Sequence, residues 1–190
     1  MIYIVRHGET DWNVEGRYQG RMDIELNENG INQARKTAEK LNDVNFDMVI
    51  SSPLKRAYET AKIISNNAFI TIDSRLIERS NGELEGKLKS EVLEKINIAD
   101  PNETRFGIET LSDFRTRVFD FCQYLEEISV DKKVLVVTHV GVSIYMRLYF
   151  EGKPENFDYK KFGLKNCEVI TYESRSKENE RVYKLDTRKY

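Results

Sequence analysis

The sequence predicts an α/β fold, a three-layer α/β/α sandwich built around a mostly parallel sheet with an antiparallel edge. One observation is that short apolar runs alternate with helix-like segments along the 190 residues. Another is that two of these runs lead directly to His7 and His139, and the chain contains no other histidine. Because the carboxyl ends of parallel strands meet at one sheet edge, where such sheets bind ligands, we expect both imidazoles at that edge.

Each predicted element rests on a local signal of periodicity or capping. Strands are expected at Ile2 to Val5, Met48 to Ser51, Phe69 to Ile72, Val134 to Thr138, and in a closing hairpin of Cys167 to Tyr172 with Val182 to Leu185. Helices are expected after an Asn27 cap, after Ser52 as a cap with Pro53 in the first turn, near 110–129, and from Gly141 through Phe150.

One segment, residues 79–109, departs from this alternation. It is polar and weakly periodic, and it contains Gly82, Gly86, Pro101 and Gly107. A long irregular insertion in a compact domain is often a binding loop. We therefore expect residues 1–190 to form one domain, with 79–109 as a lid over the site.

Composition excludes several classes of protein. Thirty basic and 32 acidic residues give a net charge of −2, so no overall positive field would attract nucleic acid or a membrane surface. The sequence contains no apolar run long enough to span a bilayer and no signal-peptide pattern. Cys122 and Cys167, expected in a helix and a strand, indicate a reducing compartment. We expect a cytoplasmic protein, either a monomer or a homodimer.

The charged residues expected at the carboxyl edge of the sheet suit a phosphate group. Arg6 and His7 follow the first strand, Arg56 follows the second, Glu78 follows the third and His139 follows the fourth. Arginine presents a planar fork of donors that matches phosphate oxygens. Helix N-termini expected near Asn13, Ser52 and Gly141 would add backbone donors. This pattern predicts a pocket for a multiply charged oxyanion.

The motifs that the sequence lacks narrow the chemistry. We find no phosphate-binding Gly-x-x-x-x-Gly-Lys-Ser/Thr loop, no Gly-x-Gly-x-x-Gly, and no His-x-x-x-His or Cys-x-x-Cys pair for a transition metal. We therefore expect neither a metal nor a cofactor. A phosphoryl site of this kind needs arginines to neutralise charge, a neutral histidine to attack phosphorus and a carboxylic acid to protonate the leaving oxygen. The surrounding cations would help to keep that histidine neutral.

With these residues in place, the sequence resembles the histidine phosphatase superfamily, also called the phosphoglycerate mutase-like family. The resemblance covers nearly the whole chain, in ordered blocks: Arg6-His7-Gly8-Glu9-Thr10, Asp11-Trp12-Asn13, Gln19-Gly20, Leu26 with Gly30 and Gln33-Ala34, Ser51-Ser52-Pro53-Leu54-x-Arg56-Ala57-x-x-Thr60-Ala61, Leu76-x-Glu78-x-x-x-Gly82-x-x-Glu85-Gly86 and Val137-Thr138-His139. It implies a phosphoglycerate mutase-like fold.

The resemblance also implies a role for each matched residue. His7 would be the nucleophile that becomes a phosphohistidine, and Glu78 would be the general acid and then the base. His139, if protonated, would stabilise charge on the transferring group. The residues expected to bind the substrate are Arg6, Asn13, Gln19, Gly20, Arg56 and His139.

Three functions remain open at this stage. The leading prediction is a hydrolase, a metal-independent phosphomonoesterase that acts on a small phosphorylated metabolite. The first alternative is a phosphoglycerate mutase, which the chain length and Gln19 disfavour, since mutases carry a small hydroxyl residue at that position. The second is a catalytically silent phospho-ligand binding module, which would be expected to have lost His7 or Glu78. Departures from the family pattern at Leu84 and at Gly107-Ile108-Glu109-Thr110 concern the substrate rather than the chemistry.

Overall fold

The computed structural model describes residues 1–92, 100 and 103–174. Its strands are β1 (Ile2–Arg6), β2 (Met48–Ser51), β3 (Ile70–Ile72), β4 (Val134–Thr138) and β5 (Val169–Tyr172). Its helices are α1 (Asp11–Glu15), α2 (Glu28–Lys40), α3 (Lys55–Ile64), α4 (Leu111–Ile128), α5 (Val140–Glu151) and α6 (Tyr159–Phe162). Single 3₁₀ turns lie at Ser74–Leu76, Gly82–Leu84 and Arg105–Gly107.

The strands form one sheet in the order β3-β2-β4-β1-β5. Strands β3, β2, β4 and β1 are parallel to their neighbours, and β5 pairs antiparallel with β1 at the edge. Arg6 pairs with Thr138 and Ser51 pairs with Val137, so the carboxyl ends of the three central strands lie side by side. The predicted mixed α/β sheet is confirmed, including its antiparallel edge.

Apolar side chains cover both faces of the sheet, which makes the three layers. On one face Ile4 and Val136 pack in a cluster with Phe114 and Val118 of α4 and Met146 of α5. The other face buries a second cluster with α3: Val5, Val49, Ala57, Ala61, Ile64, Leu135 and Val137. All five residues of β4 are buried, as expected for a central parallel strand covered on both sides.

The predicted cap was right for α2 and wrong for α3, although helix α3 itself is present. The Asn27 side chain accepts a hydrogen bond from the Gly30 amide (2.8 Å), which is the predicted cap of α2. Helix α3, however, begins at Lys55, and its N-cap Leu54 supplies no side-chain bond. Ser52 lies two residues before this N-cap, and its hydroxyl contacts His139 (Oγ···Nε2 2.7 Å).

Two strand limits also differ from the prediction. Cys167 lies before β5 rather than in a strand, with φ of 55°, and its amide donates to the Arg6 carbonyl (3.0 Å). Phe69 precedes β3 and is 90% exposed, because β3 is a short strand at the sheet edge. The predicted strand Val182 to Leu185 lies outside the described residues. Within the described ranges, no helix is long and apolar enough to cross a bilayer.

Candidate active site

The site is built on the two histidines that follow neighbouring strands. Because β1 and β4 pair in parallel, the strands deliver His7 and His139 to the same edge, with ring centroids 5.1 Å apart and 58° between the ring planes. The His7 amide donates to the Thr138 carbonyl (2.9 Å), which extends the ladder by one bond. Both rings are buried, with 3% and 0% of the residue exposed. The sequence prediction that these imidazoles share one edge is confirmed.

The hydrogen bond of the His7 ring fixes which nitrogen carries the proton. Its Nδ1 lies 2.7 Å from the Gly8 carbonyl oxygen, which can only accept, so Nδ1 carries the hydrogen and Nε2 keeps its lone pair. Burial, followed by the charges of Arg56 and Arg6, holds the pKa of His7 well below its ordinary value. His7 is therefore neutral at physiological pH, and its Nε2 is available as a nucleophile.

Arg6 ends β1 and its guanidinium is fixed by one backbone contact. Its Nη1 donates to the Leu164 carbonyl (3.0 Å), while Nε is buried and has no hydrogen-bond partner among the described residues. Burial lowers the pKa of Arg6, and the nearby charge of Glu78 opposes this shift. A buried guanidinium donor without a protein partner suits an anion, because an unpaired buried donor is costly.

Arg56 lies in the first turn of α3 with only 1% of the residue exposed. Its two terminal nitrogens donate to the carbonyls of Gly20 (2.8 Å) and Met22 (2.7 Å), and its Nε has no partner within the described chain. Burial lowers the pKa of Arg56 to about 10, so the side chain stays cationic at neutral pH. Gly20, expected to bind substrate, is placed by the structure to orient this arginine through its carbonyl.

Asn13 and Gln19 lie between β1 and α2, in the segment of residues 13–22 that we call the rim. Asn13 forms a reciprocal cap of α1, in which its amide donates to Thr10 Oγ1 and its Oδ1 accepts from the Thr10 amide (both 3.2 Å). This cap uses Oδ1, so a ligand contact would come from Nδ2. The Oε1 of Gln19 is buried and unpaired in the part of the chain that the structure describes, although its residue is only half-buried.

Glu78 is held by two backbone amides, one for each carboxylate oxygen. Oε1 accepts from the Arg79 amide (2.8 Å) and Oε2 from the Gly141 amide at the start of α5 (3.0 Å). A Cβ at position 141 would lie 2.4 Å from Glu78 Oε1, so only glycine lets the carboxylate approach this helix end so closely. His139, the N-cap of α5, and the Glu78 carboxylate are therefore both held at the start of the same helix.

A half-buried ion pair fixes the backbone that carries Glu78. Arg117 of α4 donates from Nη1 to the Ile77 carbonyl (2.6 Å) and from Nη2 to the Glu78 carbonyl (3.2 Å). The same guanidinium binds both carboxylate oxygens of Glu109 (2.8 and 3.0 Å). Glu109 also accepts from Arg21, at 3.1 Å. We call the pair of Arg117 and Glu109 the clamp, because together they connect the loop that carries Glu78, the rim and α4.

Sequence reasoning missed three polar residues that support the site. Ser52 contacts His139, as described above. The Thr60 hydroxyl accepts from the Gly8 amide (3.0 Å) and donates to the Arg56 carbonyl (2.7 Å). The Asn166 side-chain amide donates to the His7 carbonyl (2.9 Å). Ser52 and Thr60 lie within the Ser-Ser-Pro motif block, which was the available signal, whereas Asn166 had none.

The segment after Glu78 is irregular in its described part, as predicted, and is fastened to the rim. Residues 17 and 88 form an isolated antiparallel bridge, and backbone bonds between Tyr18 and both Gly86 and Lys87 (2.8 and 3.0 Å) flank it. Glu85 Oε1 accepts from the amides of Arg21 and Asn81 (both 3.0 Å). Leu84, where the family pattern has an aromatic residue, is 1% exposed.

The arrangement can bind an anion and attack it. Two guanidiniums and two imidazoles converge on one edge, and among their buried nitrogens Arg6 Nε, Arg56 Nε and His139 Nδ1 have no hydrogen-bond partner among the described residues. A dianionic phosphoryl group would satisfy such donors. The described residues contain no cluster of three or more His, Cys, Asp or Glu side chains that could hold a metal ion.

Comparison with known proteins places this geometry in a family. The model of the histidine phosphatase superfamily (branch 1) matches residues 2–186. The chain is 36% identical to the uncharacterized phosphatase PhoE of Bacillus subtilis over 77% of this chain and 75% of that protein. It is 33% identical to phosphoserine phosphatase 1 of Hydrogenobacter thermophilus over 90% of this chain and 83% of that protein.

Solved structures agree with these relatives. The phosphoserine phosphatase of Entamoeba histolytica, solved in complex with 3-phosphoglyceric acid, superimposes with a TM-score of 0.72 at 30% identity, over 88% of this chain and 87% of that one. The prediction of a phosphatase for small metabolites is confirmed by these similarities. The chain belongs to the histidine phosphatase superfamily, branch 1.

Proposed function

We propose that this chain hydrolyses phosphate monoesters of small metabolites without a metal ion, through a phosphohistidine formed on His7. The observation that carries the proposal is the hydrogen bond between His7 Nδ1 and the Gly8 carbonyl (2.7 Å). It leaves Nε2 unprotonated beside two guanidiniums that attract a phosphoryl group, and these charges also keep the pKa of the ring low.

In the first step His7 Nε2 attacks phosphorus and the bond between phosphorus and the ester oxygen breaks. Arg6 and Arg56 bind the nonbridging oxygens and offset their charge, an electrostatic contribution that is often large in such sites. Protonated Glu78 gives its proton to the leaving oxygen, which departs as an alcohol. The products of this step are the free alcohol, phosphorylated His7 and the Glu78 carboxylate.

In the second step water attacks the phosphorus of the phosphohistidine. The Glu78 carboxylate takes a proton from this water as general base, and the bond between phosphorus and Nε2 breaks. Inorganic phosphate leaves, His7 returns to its neutral state and Glu78 is again protonated. The Gly141 and Arg79 amides keep the carboxylate in one orientation for both proton transfers.

The substrate class rests on the relatives and on the shape of the rim. In this proposal the described part of residues 79–109 covers the ester, and the backbone bonds of Tyr18 connect it to the loop that orients Arg56. Residues 93–99, 101 and 102 lie outside the described residues. Phosphoserine and 3-phosphoglycerate are the first esters to test, because phosphoserine phosphatases are among the relatives.

The proposal is tested by trapping the intermediate. Wild type incubated with labelled phosphate ester and quenched should carry label that is labile in acid and stable in base. His7→Ala should carry none and should lose turnover by about 10³-fold or more, as expected for a nucleophile. Glu83→Gln, at an exposed position within residues 79–109, is the control and should keep both the label and the activity. Acid-stable label, or a labelled His7→Ala protein, would overturn the mechanism.

Two further arms of the same assay separate the alternatives. Excess chelator should leave turnover unchanged, and a loss that is restored by a divalent ion would contradict the charge neutralisation by arginine. A mutase would need a bisphosphate primer and would return the label to a second phosphoglycerate hydroxyl. A phosphatase releases it as inorganic phosphate without a primer.

A further inference from the structure

The two ring nitrogens of His139 have different surroundings. Nε2 lies 2.7 Å from Ser52 Oγ, whereas Nδ1 is buried and has no hydrogen-bond partner in the described ranges. His139 is fully buried, caps α5 through its backbone and lies against the His7 ring. Which nitrogen carries the proton therefore decides whether the ring can donate a hydrogen bond from Nδ1.

The Ser52 hydroxyl settles this choice through its own hydrogen bonds. Ser52 is fully buried, and its oxygen accepts weakly from the Leu54 amide (3.4 Å). A buried hydroxyl needs an acceptor for its own proton. Among the described residues, the acceptor that the structure offers is His139 Nε2. The hydroxyl therefore donates to Nε2, and a neutral ring that accepts at Nε2 must carry its hydrogen on Nδ1.

We propose that Ser52 is a positioning residue that holds neutral His139 with its hydrogen on Nδ1, so that Nδ1–H donates to the phosphoryl group. The inference rests on the proposed function, in which that group sits between the two histidines. It replaces the conditional expectation, in which a protonated His139 would stabilise charge on the transferring group. The ring serves as an uncharged donor instead, and burial together with Arg56 and His7 agrees with this by keeping the pKa of His139 well below its ordinary value.

An uncharged donor fits this site better than a third cation. The buried Arg56 and the half-buried Arg6 already lie beside the two rings, and a positive ring 5.1 Å from His7 would add to their repulsion. A neutral donor aimed at the developing charge still lowers the barrier, because it is oriented before the reaction begins. In the absence of the hydroxyl, nothing in the described surroundings would select the Nδ1–H form.

The tautomer can be measured directly because the chain contains only two histidines. A two-bond ¹H–¹⁵N correlation spectrum of ¹⁵N-histidine-labelled protein shows two ring patterns, and His139→Gln assigns them. We expect His7 and His139 both to be neutral with hydrogen on Nδ1 in wild type. In Ser52→Ala the His139 pattern should change to hydrogen on Nε2, while the His7 pattern stays the same.

Ser51→Ala is the matched control. Ser51 is the adjacent serine, is equally buried and donates to the Ser52 carbonyl (2.9 Å), so its loss removes one buried hydroxyl without touching His139. It should leave both ring patterns as in wild type. A wild-type His139 that is cationic at neutral pH or carries its hydrogen on Nε2 would overturn the inference, as would an unchanged ring in Ser52→Ala. The wild-type spectrum tests the tautomer of His139 by itself, and Ser52→Thr tests the role of the hydroxyl if Ser52→Ala fails to fold.

Activity supplies an independent readout. Ser52→Ala should lower kcat for p-nitrophenyl phosphate by about 10²-fold, the loss typical of one donor to a developing charge, while KM changes little. Ser52→Thr, which restores a hydroxyl, should recover part of kcat and the Nδ1–H pattern together. Recovery of kcat without that pattern would overturn the inference. The phosphohistidine trap on His7 tests the proposed function separately, so the two failures can be told apart.

Discussion

The imidazole rings of His7 and His139 lie 5.1 Å apart, and the pKa of each is held well below its ordinary value, although histidine is the side chain most able to become charged near neutral pH. Burial is the largest cause of the low pKa of each ring, and the cationic Arg56 and Arg6 add to it. In the proposed mechanism, a pair of neutral rings beside two fixed cations supplies one nucleophile and one hydrogen-bond donor. The low pKa of both rings also makes the folding stability depend on pH.

The first prediction concerns that dependence. In the unfolded chain both histidines take up protons as the pH falls below about 6.5, whereas in the folded protein they stay neutral to a lower pH. The unfolded state then binds more protons, so stability is complete above this value and falls below it by up to about 1.4 kcal/mol per pH unit for each histidine. Urea unfolding at about pH 7.5, 6.5 and 5.5 measures the loss.

The control for this prediction removes one of the two rings. His139→Gln keeps a polar side chain of similar length and cannot titrate in either state. Its stability should fall with pH by about half the histidine contribution of wild type between about pH 6.5 and 5.5. An identical slope in the two proteins would show that His139 is not neutral in the folded state.

The second prediction concerns proton transfer by Glu78. Glu78→Gln should lower hydrolysis of an alkyl ester such as phosphoserine by about 10²–10⁴-fold, because a poor leaving group needs protonation. Hydrolysis of p-nitrophenyl phosphate should fall much less, since its phenolate leaves without a proton. Because Glu78 is also the base for water, phosphorylated enzyme should accumulate with this activated ester.

The ratio of the two losses is the informative quantity. Each Glu78 oxygen accepts from a backbone amide, so the glutamine must turn an N–H group toward either Arg79 or Gly141. That cost affects both esters alike and cancels in the ratio. Glu83→Gln should change neither rate, and Glu85→Gln, which loosens the contacts with Arg21 of the rim and with Asn81, should lower both together. Equal losses of activity on the two esters in Glu78→Gln would show that Glu78 acts in binding rather than in proton transfer.

The sequence predicted the histidine pair because a short-range pattern determines it. Strand, histidine and glycine recur after β1 and β4, and parallel pairing then leaves no choice of edge. The same holds for α2, whose Asn27 cap forms as predicted from its position before a periodic run. Where local chemistry and the tertiary fold favour the same structure, the prediction was sufficient.

Ser52 shows where such prediction fails. A serine before proline at the end of a strand is typical of a helix cap, and the local pattern alone favours that role. The structure instead uses the hydroxyl for His139, a partner that only the pairing of β2 with β4 brings close. Asn166, which supports His7 from the far end of the chain, depends on the antiparallel edge strand in the same way.

Arg56 makes the same point for a residue that was correctly selected. The motif placed it at the site, but its orientation depends on the Gly20 and Met22 carbonyls, which no spacing in the sequence relates to it. Its side chain is buried because those carbonyls replace the water that a surface arginine would bind. Contacts between loops distant in sequence are therefore the part of the site that required the structure.

The last prediction concerns the clamp. Arg117→Met removes four hydrogen bonds described above, to the Ile77 and Glu78 carbonyls and to both oxygens of Glu109, and leaves the half-buried Glu109 carboxylate with Arg21. Arg117 and Glu109 are only partly buried, so breaking the pair on one side should cost less than the roughly 3 kcal/mol of a fully buried one, and the variant should unfold at lower urea with an unchanged m-value. If the clamp also positions Glu78, kcat for phosphoserine should fall by more than kcat for p-nitrophenyl phosphate, as in Glu78→Gln but less steeply.

Arg75→Met is the matched control, because Arg75 joins Asp73 to Asp120 of the same helix by ion pairs (2.6 and 2.7 Å). Arg75→Met should lose stability, and any change in its kcat should be the same for the two esters. If Arg117→Met is destabilised but treats both esters alike, the clamp supports the fold and Glu78 is held by its two amide bonds alone.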